Sequence, residues 1–231
     1  MKYFFLLVFI LGCSDNNSSY FPLEKIESWS YKVVIKPDIE KKTIYKKINV
    51  SLGKKYIEIN GKNELLYPLL REDGSIFYYE TDKNGIYRNG YTFTKDKNIN
   101  LENKRRIVLP HSQKMGEQWE VESKTYLILK KYPYFDYRAT TNFKINYKII
   151  SKTEIVNTPM GKFKNCLLIK GVGKTRFIGD SEIGAIEIKI TSEEWYAKNI
   201  GLIKTVRTEK TDSDLFATTK MTQTLENFNY K

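Results

Sequence analysis

Stretch after stretch of this chain alternates apolar and polar side chains with a period of two, and turn-forming dipeptides cut each stretch short. Ile186, Ile188 and Ile190 alternate with Glu187, Lys189 and Thr191; Phe143, Ile145, Tyr147 and Ile149 alternate with Lys144, Asn146 and Lys148. Trp29, Tyr31, Val33 and Ile35 alternate with Ser30, Lys32 and Lys36 in the same way. Successive side chains of a strand point to opposite faces, so each run predicts a strand with one dry and one wet face. The next run sets Ile44, Ile48, Val50 and Leu52 on one face and ends at Gly53. Asn60 and Gly61 form the dipeptide that most favours a two-residue hairpin turn, and Asp73 with Gly74, Asn84 with Gly85 and Asn89 with Gly90 predict three further turns. Pro159 and Gly161 fit a β-turn with proline at its second position. Pro68 lacks a ladder donor, so LLYPLL reads as an edge strand or a bulge.

Trp119 to Leu129 reads as one extended run, followed by KYPYFDY as an aromatic connection. Helical periodicity is missing even from the best candidate, Ile99 to Arg106, which reads as loop or a single helical turn, with Ile107 to Pro110 as a brief strand. Strands joined by short turns pair mostly with their sequence neighbours. The expected fold is therefore all-β: an antiparallel meander curled into a barrel or half-barrel, which buries one face of the sheet and hides its edges.

The N-terminus, MKYFFLLVFILGC, has the order of an export signal: one Lys, an apolar run from Tyr3 to Leu11, then a small residue. A membrane-spanning helix needs about 20 apolar residues, roughly twice this run. Ile10, Leu11, Gly12 and Cys13 resemble the bacterial lipobox, in which the cysteine is lipidated and becomes the mature N-terminus. That resemblance implies a signal peptide over residues 1–12, a lipidated polar tether over 13–19 and a single β domain over 20–231. It also implies acyl groups such as palmitate on Cys13, and two or more chains hold a protein stably on a bilayer. The protein would then be a membrane-anchored lipoprotein of the cell envelope. Ser14 stands where an Asp would hold many lipoproteins in the inner membrane, which points to the outer membrane.

With Cys13 acylated, Cys166 has no partner for an internal disulfide, and its place in FKNCLLIK is that of a small buried hydrophobe. A nucleophilic cysteine needs a base, and the one histidine, His111, is distant in sequence. The formal charge of +12 admits anionic partners such as phospholipid headgroups or envelope polysaccharides, but the lysines are scattered between apolar positions, which favours a solvated face, and an exported protein seldom meets nucleic acid, so none is expected as a partner. The sequence carries no G-x-S-x-G elbow, P-loop or His- and Cys-rich metal cluster, and Glu193 and Glu194 are adjacent, so a strand points them to opposite faces. The reading is therefore of a protein that is not an enzyme and needs no cofactor or metal.

Four segments resemble a group of poorly characterised exported bacterial β domains and lipoproteins. They are FPLEKIESWSY, GEQW (Gly116 to Trp119), TPMGKFKNC (Thr158 to Cys166) and WYAKNIGLIK (Trp195 to Lys204). Turn geometry and core packing account for most of these residues. The abundance of aromatics, 17 Tyr and 12 Phe, exceeds what a sheet core needs, and aromatics with a polar end line grooves and interfaces. A concave face lined by Trp29, Tyr31, Trp119, Tyr147 and Trp195 would hold an apolar or amphiphilic envelope ligand such as a lipid or glycan. Two other readings stand beside it: a fully packed structural or protein-interaction module, and a hydrolase with carboxylates or Ser converging in a cleft.

Overall fold

The computed structural model describes residues 19–38, 41–125, 127–131, 134–179, 181 and 184–231. The signal segment, Cys13 and residues 14–18 of the tether lie outside the described residues. Every regular element is a strand, and no described residue is helical. The first half comprises β1 (Ile26–Pro37), β2 (Thr43–Ser51), β3 (Lys55–Ile59), β4 (Lys62–Arg71), β5 (Ile76–Thr81), β6 (Gly85–Thr92) and β7 (Asn100–Pro110). The second comprises β8 (Gln118–Lys124), β9 (Leu127–Lys131), β10 (Tyr134–Ala139), β11 (Asn142–Thr158), β12 (Gly161–Ile178), β13 (Ala185–Ala197), β14 (Gly201–Thr211) and β15 (Thr218–Tyr230).

Thirteen strands form one antiparallel sheet in the order β7-β6-β5-β4-β2-β1-β15-β14-β13-β12-β11-β8, with β3 attached to β4, and β9 and β10 make a separate hairpin. The sheet consists of two meanders. The first and last strands join them, with Trp29 opposite Phe228, Tyr31 opposite Leu225 and Val33 opposite Gln223. At the far seam the Arg106 guanidinium of β7 donates to the Glu122 carbonyl of β8, so the sheet nearly closes into a barrel.

One inward-facing row shows how the barrel is lined. Passing from strand to strand, Trp119, Tyr147, Gly171, Ser192, Arg207, Met221, Ile35 and Thr43 are cross-strand neighbours. Gly171 and Gly173 are the small positions beneath large neighbours. A Cβ on Gly171 would lie 2.6 Å from the Tyr147 ring and 2.7 Å from Ile145, and one on Gly173 2.8 Å from the Phe143 ring. The two glycines form a trough in which these rings lie, and Arg207 spans it from β14 to reach Ser123 Oγ (3.4 Å) and the Lys124 carbonyl (3.1 Å) on β8.

One end of the barrel is sealed by the segment before β1. Tyr20, Leu23 and Ile26 are buried, and Phe21 packs on Tyr79 with ring centroids 5.1 Å apart. The Leu23 carbonyl accepts from Ser51 Oγ (2.6 Å) and Lys231 Nζ (2.9 Å), and Tyr67 donates to Glu24 (2.5 Å). Trp29 Nε1–H donates to the Ile200 carbonyl (2.6 Å) and the Tyr31 hydroxyl to the Leu202 carbonyl (3.0 Å), fixing the β13–β14 turn against this seal.

Several expectations need correction. Asn89 and Gly90 are not a turn but a bulge inside β6: Tyr78 pairs with Gly90 while Tyr79 pairs with Arg88. Glycine is needed there because a Cβ would lie 2.6 Å from the Asn100 carbonyl. Residues 100–106 are not loop or helical turn but the first part of β7, because their charges pair across strands, Glu102 with Arg88 and Arg105 with Glu80 and Asp82, instead of burying an apolar face. The run Trp119 to Leu129 is two strands in different sheets, and part of KYPYFDY is strand β10. Ile44 and Ile48 lie on the outer face and are exposed. Pro68 sits where β4 exchanges partners: Leu66 pairs with β3, Leu69 with β2, and the Pro68 carbonyl accepts from the Leu52 N–H (3.0 Å). The missing donor thus faces the handover, where no ladder bond is lost.

Gly171→Val forces its side chain against Tyr147 and Ile145 and should cost about 1–3 kcal/mol of stability in urea denaturation. Val172→Ala, at an exposed neighbouring position, should stay within about 0.5 kcal/mol.

Candidate functional site

The end of the barrel opposite the seal is open. A cavity of about 1510 Å³ enters there, walled by the ends of β1 and β2, the β4–β5 and β6–β7 sides and the β8, β11 and β12 rim. Phe77, Tyr91, Phe93, Phe143, Phe216 and Met221 supply apolar and aromatic surface, and Arg71, Arg88, Arg106 and Arg207 supply guanidinium groups. Interior strands place these arginines on the same inward face as the aromatics, so their long stems run along apolar surface while the heads meet the lumen.

The four arginines are not equivalent. Arg88 is paired with Glu102, donating to it from Nε at 2.7 Å, and stacks over Phe77 with its guanidinium carbon 4.7 Å from the ring centroid. Arg207 pairs with Glu209 at 2.6 Å and lies over Phe143. Arg106 bonds the Glu122 carbonyl, and burial, with Arg88 beside it, holds its guanidinium below the usual arginine value. Arg71 stacks on Phe77 at 5.0 Å but has no carboxylate within ion-pair distance among the described residues, and its Nε is buried without a hydrogen-bond partner.

Beside Arg71 lies a second cation. Asn49 is the cross-strand neighbour of Arg71, and Lys47, two residues earlier, shares its inward face. The Lys47 ammonium donates to Gln223 Oε1 (3.1 Å), a neutral acceptor. Burial, then the charge of Arg71, push its pKa down to about 8, with Glu72 and Asp73 opposing. The Asn49 side-chain carbonyl is also buried and unbonded.

Deeper in, a pocket of about 160 Å³ is lined by Arg88, Arg106, Trp119, Tyr147 and Glu194 among others. Glu194 accepts hydrogen bonds from Tyr196 (2.6 Å), Tyr147 (3.2 Å) and Ser192 (3.3 Å). Burial and the Glu194 carboxylate keep the Tyr147 phenol protonated well above the ordinary tyrosine value. Three hydroxyl donors thus converge on one side chain in this pocket.

Residues 78–220 match the DUF3108-like family, more than half of the chain. The chain belongs to the DUF3108-like family. No curated protein matches it. Among solved structures it is similar to a protein designated a lipoprotein from Parabacteroides distasonis, at 15% identity and a TM-score of 0.43, and to one designated an exported protein with a YmcC-like fold from Bacteroides fragilis, at 15% and 0.42. Each alignment covers 92% of this chain and 99% of the other.

In this DUF3108-like chain the five aromatics singled out from sequence separate into groups. Trp119 and Tyr147 stack with centroids 5.7 Å apart and line the deep pocket. Trp29 and Tyr31 are buried beside the sealed end, and Trp195 packs half-buried against that cluster with Lys204 over its ring. Three of the four quoted motifs gather around the seal as well, Leu23, Ile26, Trp29, Cys166 and Ala197 belonging to one core cluster, while GEQW places Trp119 in the deep pocket. Gly201 adopts φ +96° and Asn199 φ +61°, the angles the β13–β14 turn requires. Cys166 is fully buried, and burial raises its thiol pKa. His111 is exposed and bonds Thr81 (3.1 Å), so the two share no contact. Among the described residues no three His, Cys, Asp or Glu side chains converge as a metal site.

The cavity cations were invisible as a group because each lies on a different strand. A signal existed in Tyr67, Leu69 and Arg71, where period two carries an arginine on an apolar face.

Lys47 binds its proton less tightly in the folded chain than in the unfolded one, so stability should rise as pH climbs from about 8 towards the ordinary lysine value of 10.5. Lys47→Met should abolish that rise and add roughly 1–2 kcal/mol at pH 7, read from urea denaturation at a series of pH values.

Proposed function

We propose that this protein is an envelope lipoprotein, held on the outer membrane by acylated Cys13, whose single β domain over residues 20–231 holds an apolar or amphiphilic ligand inside the barrel and performs no chemistry on it. The observation that carries this reading is the open cavity of about 1510 Å³, larger than the 300–1,000 Å³ typical of small-molecule sites and lined by aromatics with a few convergent polar groups. A purely structural module would bury the same inner face by packing; here the packed cores occupy the sealed end and the floor, while the mouth stays open. The lipobox at Ile10 to Cys13 supports the anchor.

The domain from Ser14 to Lys231, purified gently without its anchor, should show in native mass spectrometry a discrete extra mass of lipid size. A bare protein mass that persists after incubation with envelope lipids would contradict the reading and favour the packed interaction module. In the intact protein, Cys13→Ala should abolish incorporation of labelled palmitate and release the protein from the membrane fraction; labelling that survives would refute the anchor.

A further inference from the structure

We infer that the ligand is an anionic amphiphile, with a phosphate or carboxylate head bound by Arg71 and Lys47 and a hydrocarbon part lying over Phe77, Tyr91 and Phe143. The inference rests on the reading that the barrel interior is a ligand cavity, and it specifies the ligand's chemistry.

Water is a good solvent for a guanidinium and a half-closed protein cavity is a poor one, so an interior arginine needs an anion or a full set of acceptors. Arg88 has Glu102 and Arg207 has Glu209, each in direct ion-pair contact, and Arg106 has a backbone carbonyl. Arg71 has none of these. The adjacent Glu72 makes no ion pair with it among the described residues, and Asp73, engaged by the Ser75 N–H (3.0 Å) and hydroxyl (2.5 Å), acts on it only at longer range. Its Nε lies buried without an acceptor, and Lys47 on the same inward face makes no ion pair among the described residues: its ammonium is held by the neutral Gln223 amide oxygen, and Glu72 and Asp73 act on it only at longer range.

That combination suits an oxyanion. A phosphate or carboxylate oxygen accepts readily from a guanidinium fork and from an ammonium at once, and such charge-assisted bonds are stronger than neutral ones. A free anion would leave most of the cavity unused, since the volume extends from Arg71 past Phe77 and Tyr91 to Phe143 and Phe216. A chain attached to the head fills that aromatic lining.

The test uses the full-length protein, taken from membranes in a non-ionic detergent and titrated under native mass spectrometry with three probes. Oleoyl lysophosphatidate and monooleoylglycerol share an acyl chain and glycerol and differ in the phosphate, and inorganic phosphate supplies the head alone. Lysophosphatidate should bind about tenfold more tightly than monooleoylglycerol. Arg71→Gln should bring the ratio near one, Arg71→Lys should keep part of it, and inorganic phosphate should fail to displace the lipid. Monooleoylglycerol binding reports that each variant is folded, and if Arg71→Gln loses both lipids, Lys47→Gln reads the same ratio. Equal binding of the two lipids by the natural protein, or a preference unchanged in the folded variants, overturns the anionic head and leaves the cavity reading standing. Inorganic phosphate binding as tightly as lysophosphatidate overturns the amphiphile. Binding of neither lipid overturns both this inference and the cavity reading.

Discussion

The whole barrel depends on the pairing of its first strand with its last. β1 and β15 run antiparallel from Ile26 against Tyr230 to Pro37 against Thr219, and through them two meanders become one sheet. The same contact carries the seal, because β1 is preceded by the buried Tyr20 to Ile26 segment and β15 is followed by Lys231, whose ammonium bonds the Leu23 carbonyl. Pairing the chain's ends requires closing a loop of nearly the whole protein, an entropic cost that only extensive burial offsets. Trp29, Tyr31, Val33 and Leu225 supply that burial on the inward side of the seam.

Once the sheet is curled, its inner face divides into two regimes. Towards the seal the inward residues are aromatic and aliphatic and their polar tips are satisfied, as with Trp29 on Ile200 and Tyr31 on Leu202. Towards the mouth they become arginines over aromatic rings, with Gly171 and Gly173 lowering the floor so that Tyr147 and Phe143 can lie down. Folding alone gains little from Arg71 and Lys47 at those positions, since neither makes an ion pair among the described residues, the Arg71 Nε is buried without an acceptor and Lys47 loses water. Groups that cost stability without local compensation are the ones to associate with binding.

Much of this was legible in the residues, because period two and turn dipeptides act locally. The alternation in β11 and β13, the Asn60 and Gly61 hairpin and the Gly201 angle follow from side-chain spacing and glycine's freedom at positive φ. The errors came where long-range partners decide. Asn89 and Gly90 have turn chemistry, but the approach of β7 turns them into a bulge. Residues 100–106 lack an apolar face, and the carboxylates and guanidiniums of β5 and β6 make them a strand. The cavity was hidden for the same reason: a lysine such as Lys47 reads as one of many on a wet surface until the sheet curls and its face becomes the interior. Ile44 and Ile48, assigned to the apolar face of β2, are then left outside.

The central claim is that the inner face between the two meanders is shaped for a bound amphiphile. A crystal structure of the protein purified from its own envelope tests it most directly. Continuous elongated density with its polar end at Arg71 and Lys47 and its body along Phe77, Tyr91 and Phe143 is the predicted result. A cavity holding only water, in protein handled without delipidating detergent, would contradict it.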